Sequence, residues 1–166
     1  MEQLDTDFSK AMTQAVMEVM EGMAFMEILA TRDEEAMAEA QNVLGVSLLV
    51  HEPVQWEFKL SIPLDLLGEL AEAVFASPRE ELAPESLNDL MAEILNTVAG
   101  RFLTQILKDD QIYNLGLPEI CPENSSNGDQ PWKQWFFTAD AKPFSIRILG
   151  TAPENLGIFV HTNTPH

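Results

Sequence analysis

The chain has 166 residues, 46% of them hydrophobic, which is enough for one sizeable core and predicts a single domain spanning residues 1–166. Twenty-seven acidic residues against nine basic ones give a formal net charge of −18. That charge repels phosphate backbones and anionic lipid, so neither nucleic acid nor a membrane surface is an expected partner.

A free phosphorylated metabolite is disfavoured on the same ground, unless a cation or a cationic partner arrives with it. Met1 to Asp7 carries no basic stretch ahead of an apolar run, so no secretory signal is expected. The longest apolar run, Val43 to Val50, is interrupted by Gly45 and Ser47 and falls far short of the roughly 20 residues of a spanning helix. Cys121 is the only cysteine, which rules out an internal disulfide and points to a soluble, cytoplasmic protein. It is read as a loop thiol of no special role.

In chain order, Phe8, Met12, Ala15, Val19, Met23 and Met26 recur every three or four residues and predict a core-facing helix over 7–29. Its methionines are read as core filling. Arg32 to Gln41 is read as a loop or a short extra helical turn. Val43 to His51 and Val54 to Ile62 are rich in β-formers and flank Glu52-Pro53, the pattern of a hairpin. Pro63 then opens a helix carrying Leu64, Leu66, Leu67, Leu70, Ala71, Val74 and Phe75 and ending near Ser77-Pro78.

Residues 79–85 read as a polar connector. A third long helix follows, with Ser86 as its expected N-cap and Lys108 near its end. Asp109 to Asp129 reads as irregular, the piece from Glu123 to Gly128 being loop by composition. Trp132 to Asp140 and Pro143 to Leu149 predict a second hairpin turning near Ala141-Lys142, and Leu156 to His161 a last strand. Trp56, Trp132, Trp135, Phe136 and Phe137 are read as sheet-face packing.

Helix, hairpin and helix are followed by helix and strands again. This order suggests two related halves, about 5–78 and 84–163. Sliding the first helix by 75 positions sets Gln14 on Asp89, Glu18 on Glu93, Glu21 on Asn96 and Phe25 on Gly100. The expected fold is α+β, with the hairpins joined in an antiparallel sheet and long helices packed on a face of it.

The third long helix carries the sequence's strongest functional signal. Asp89, Glu93, Asn96 and Gly100 stand at i, i+4, i+7 and i+11, which at 100° per residue confines them to an arc of about 60°. Leu87, Met91, Ile94, Leu95, Val98 and Phe102 fall on the opposite side. A solvated face normally uses long helix formers, but the flanking positions here are Ala92, Thr97, Ala99 and Gly100. Asn and Gly together cost about 1.5 kcal/mol of helix propensity relative to alanine. Small side chains let a foreign backbone approach Glu93 and Asn96. From these residues alone, a solvated face and a functional face both remain open.

The carboxamide of Asn96 does not titrate, but it donates and accepts at once and so can hold a water at a fixed angle. Glutamine does this in GTP hydrolysis. Glu93, one turn away, offers a carboxylate to a cationic group. No histidine, cysteine or Gly-rich loop nearby completes a self-contained active site, so the chemistry must be shared with a partner.

The pattern Asp89-x-x-x-Glu93-x-x-Asn96-x-x-x-Gly100 resembles the signature of the CheC/CheX/FliY family of chemotaxis phosphatases. The order of helices and hairpins resembles that family's pseudo-twofold fold over nearly the whole chain. The resemblance implies a phosphatase for the aspartyl phosphate on a CheY-like receiver domain. Asn96 would orient the hydrolytic water and Glu93 would pair with the receiver's lysine. Asp89, Ala92, Thr97 and Gly100 would line the docking face.

It also implies no cofactor of the chain's own, magnesium being carried by the receiver. Family members often have Gly-Asn where this chain has Gly100-Arg101. Members with two centres repeat Glu-x-x-Asn on the first helix, which here reads Glu18-Val-Met-Glu21 with the bulky Phe25 beyond. The resemblance is therefore closest to the single-centre CheX branch and implies a homodimer paired through sheet edges. An adaptor or flagellar-switch module that binds a receiver without turnover is the alternative. A metal site of Asp89 and Glu93 with His51 or His161 lacks any recognisable ligand spacing, and none is expected.

Overall fold

Two hairpins form the middle of one antiparallel sheet, and two 23-residue helices cross it. The computed structural model describes residues 2–52, 54–107, 111–122 and 133–150. Their elements are α1 (Glu2–Ala24), β1 (Ile28–Thr31), α2 (Glu34–Glu39), β2 (Val43–Glu52), β3 (Trp56–Pro63) and α3 (Leu64–Phe75). A 3-10 turn (Arg79–Glu81) leads to α4 (Pro84–Ile106), β4 (Asn114–Leu115), β5 (Glu119–Pro122), β6 (Lys133–Ala139) and β7 (Lys142–Gly150).

The strand order is β1-β6-β7-β3-β2-β4, with β5 also paired to β2. The hairpins β2–β3 and β6–β7 meet through β3 and β7, with Leu60 opposite Ile146. Each long helix hands its following strand to the other hairpin: β1 pairs with β6, whereas β4 and β5 pair with β2. This exchange interlocks the chain's two ends and makes an α+β fold, as the element order led one to expect.

Period-two alternation places Trp56, Phe58, Leu60 and Ile62 of β3 and Phe144, Ile146 and Ile148 of β7 in the core. The helices cover them. Phe8 of α1 meets Trp56 and Phe102 edge-to-face at 6.3 and 5.9 Å, and Phe102 of α4 meets Phe58 at 5.8 Å. Burying each such ring contributes about 1.5–3 kcal/mol, so α4 is locked to the sheet by its inner face and its outer face is held in a fixed orientation. Trp135 and Phe137 are buried too, as sheet-face packing requires.

Several boundaries differ from the expectation. α1 stops at Ala24 rather than residue 29, because Phe25 adopts a left-handed backbone (φ 56°) while its N–H bonds Glu21 O at 3.0 Å. Asp33 caps the short α2 by accepting from Ala36 N at 3.1 Å. Ser86 is not the N-cap of α4. Pro84 occupies the first turn, where its missing N–H is harmless, and the cap is the extended Ala83, which makes no side-chain bond. α4 ends at Ile106. The stretch expected to be irregular from Asp109 contains β4 and β5.

The second hairpin turns through Asp140 and Ala141, both at positive φ. The expected strand Leu156 to His161, the loop Glu123 to Gly128 and Trp132 lie outside the described residues.

Candidate functional site

The helix α4 carries every residue of the predicted constellation. Packing by α1, α3, β2 and β3 claims its sides and base, and buries Leu90, Met91, Ile94, Leu95, Val98, Phe102 and Leu103. The solvent-facing residues include one strip along the helix. Asp89 and Glu93 are exposed, and Ala92, Asn96, Thr97 and Gly100 are half-buried. Ala99 does not flank this strip, as its place in the sequence had suggested: it is fully buried and belongs to the core.

Glu93 accepts a hydrogen bond from Thr97 Oγ1, one turn farther along the helix, at 3.2 Å. Among the described residues Glu93 forms no ion pair. The neighbouring cation Arg101 is already engaged, its Nη1 lying 2.8 Å from Glu18 Oε2 on α1. The Arg101 that departs from the family pattern is thus a strut between the two long helices.

Gly100 has no internal reason to lack a side chain. A Cβ built there would meet only the Tyr113 hydroxyl, at 3.6 Å, which is ordinary contact. In a helix interior glycine costs about 1 kcal/mol relative to alanine. By contrast, a Cβ on Gly68 of α3 would come within 2.6 Å of the Arg79 guanidinium and would push that side chain aside.

The aligned residues of α1 have structural tasks. Glu18 takes Arg101 and also accepts from Gln14 Nε2 at 2.9 Å. Glu21 Oε1 accepts from the backbone N–H of Ile28 at 3.4 Å and so steadies the start of β1. Phe25, aligned with Gly100, lies beyond the helix end and is 90% exposed.

The strip is the solvent-facing ridge of α4. A groove of about 1030 Å³ does exist, but it lies between α1 and the β1–β6 edge and is lined by residues such as Lys10, Arg32 and Trp135, without Glu93 or Asn96. Among the described residues no group of three or more His, Cys, Asp or Glu is placed to hold a metal ion, and His51 sits at the far end of β2. His161 lies outside the described residues. No described helix is long and apolar enough to cross a membrane.

Sequence reasoning missed Tyr113. Its hydroxyl lies 3.3 Å from Thr104 Oγ1, which itself donates to Gly100 O at 2.8 Å, so the ring closes one end of the strip. Nothing in the local pattern marks it, because the contact depends on how the chain returns after α4.

Neither a family model nor a curated protein matches the sequence. Solved structures do. The chemotaxis protein CheX from Vibrio vulnificus superposes with a TM-score of 0.64 at 17% identity, over 86% of this chain and 95% of that one. The fold is that of CheX. The CheX of a CheX–CheY–BeF3–magnesium complex from Borrelia burgdorferi matches equally well, with a TM-score of 0.64 at 14% identity over 87% of this chain and 98% of that one. FliY from Thermotoga maritima follows at 0.59 and 15%, over 91% and 90%. The likeness to CheX carried by the α4 pattern is therefore borne out in the fold over most of the chain.

Proposed function

We propose that the protein accelerates hydrolysis of the aspartyl phosphate on a CheY-like receiver domain. One observation carries the reading. On a chain with the CheX fold, Glu93 is exposed and Asn96 half-buried one turn along the same helix face, and among the described residues Glu93 enters no ion pair.

Docking of the α4 ridge brings the Asn96 carboxamide to a water beside the phosphorus. The water attacks, the bond between phosphorus and the aspartyl oxygen breaks, and inorganic phosphate leaves a free carboxylate on the receiver. Asn96 gives direction and takes no proton. Glu93 pairs with the receiver's lysine and fixes the register of the two proteins. Magnesium belongs to the receiver, and its charge together with the lysine supplies what an acidic chain lacks.

The tasks held by Glu18 and Glu21 support one centre per chain. β1 is the last strand on its side of the described sheet, with Leu29 51% exposed, which supports a homodimer paired through that edge.

The test is the decay of a phosphorylated receiver from the same genome. Wild-type protein should shorten its lifetime, and Asn96→Ala should lose about a hundredfold or more of that acceleration. Equal decay with wild type, with Asn96→Ala and without added protein would remove the reading. Binding without any change in lifetime would instead make the chain an adaptor.

A further inference from the structure

The hydrogen bonds at the end of the ridge set a preference for the kind of group that docks there. Thr104 has one hydroxyl proton, and its short bond to Gly100 O commits it. In the contact between Thr104 Oγ1 and the Tyr113 hydroxyl, the tyrosine is therefore the donor. While that bond is made its phenolic oxygen presents acceptor capacity beside Gly100, where an added Cβ would lie 3.6 Å from it. The carboxylates of Asp89 and Glu93 are acceptors as well, and the Arg101 guanidinium is held away on Glu18.

We infer that Tyr113 is a partner-selecting residue of the docking face. Its oxygen receives a hydrogen bond from an N–H of the receiver, either a backbone amide or a Lys or Arg side chain, that passes over Gly100. A segment presenting a carbonyl or carboxylate there is disfavoured, because accepting it costs the Tyr113–Thr104 bond. The inference rests on the receiver reading and adds the chemistry of the contact at the ridge's far end. Glycine at position 100 and the oxygen of Tyr113 then act together: the first admits the partner backbone and the second holds it.

The experiment titrates a receiver from the same genome, activated with beryllofluoride and magnesium, into wild type, Tyr113→Phe, Gly100→Ala and the double variant, with phosphatase turnover measured alongside. Tyr113→Phe keeps the ring and its packing. It should weaken binding about three- to tenfold, raising KM for the phosphorylated receiver while kcat holds. Gly100→Ala should fold at least as stably as wild type and bind more weakly. In that background Tyr113→Phe should have no further effect, because the approach is already blocked.

A Tyr113→Phe protein with wild-type affinity, or one whose loss falls on kcat alone, overturns the inference and leaves the receiver reading standing. Wild type that neither binds the receiver nor shortens its phosphate lifetime overturns both.

Discussion

Glu93 carries an exposed carboxylate whose hydrogen-bond partner, among the described residues, is a threonine hydroxyl. An exposed acid of this sort adds little to stability, so its energetic role comes from whatever desolvates it. When a lysine docks against it, leaving either charge unpaired is strongly unfavourable. Glu93→Gln keeps the shape and an acceptor for Thr97 but removes the charge. Receiver affinity should fall about tenfold or more, and the remaining affinity should depend less on salt. Calorimetric titration at low and moderate ionic strength checks both. Unchanged affinity and an unchanged salt slope would reject the lysine contact.

The residues of this face were legible because a helix projects position onto direction: spacings of four, three and four state that side chains share a face before any coordinate is known. Their neighbours across the chain were not. Arg101 meets Glu18 across 83 residues of sequence, and Tyr113 reaches Gly100 only after the chain has turned back. Ala99 was misread for a related reason. A small residue at the margin of a face looks the same in sequence whether it borders solvent or core, and the packing of a neighbouring helix decides.

Among elements, those that bury a continuous stripe announced themselves. α4 and the two hairpins carry enough apolar residues in phase for period to override composition. β1, β4 and β5 have four, two and four residues, too few to establish a period, and exist because they complete a hairpin supplied by the other end of the chain. The end of α1 shows the opposite failure. Its apolar pattern runs on through Met26, yet the helix stops at Ala24, with Phe25 held in a conformation that favours glycine.

A left-handed backbone costs a non-glycine residue about 1–2 kcal/mol, and a ring that is 90% exposed recovers almost nothing by burial. Phe25→Gly should therefore stabilise the fold by about 1 kcal/mol, seen as a higher urea midpoint at unchanged slope. The rate of receiver dephosphorylation should not change, since this residue lies off the α4 ridge. A lower midpoint would show that Phe25 packs against something in solution and that its backbone is not strained.

For the whole molecule, opposing forces meet at the sheet edge. A second copy paired along β1, the last strand on its side of the described sheet, would bond that edge and cover Leu29, a gain that added salt leaves nearly untouched. Against it stands the formal charge of −18 on each chain, a repulsion that acts over about 10 Å at 0.1 M salt and much farther in dilute buffer. Dimerisation should then strengthen as salt is raised, contrary to the usual behaviour of an interface held by ion pairs. Sedimentation equilibrium from about 20 to 300 mM sodium chloride, a range over which the screening length shortens severalfold, should show the weight-average mass climbing from monomer toward dimer. Leu29→Lys, which places a charge on the edge, should hold it at the monomer value throughout. A mass that is independent of salt, or a Leu29→Lys protein that still dimerises, would place the contact elsewhere on the surface.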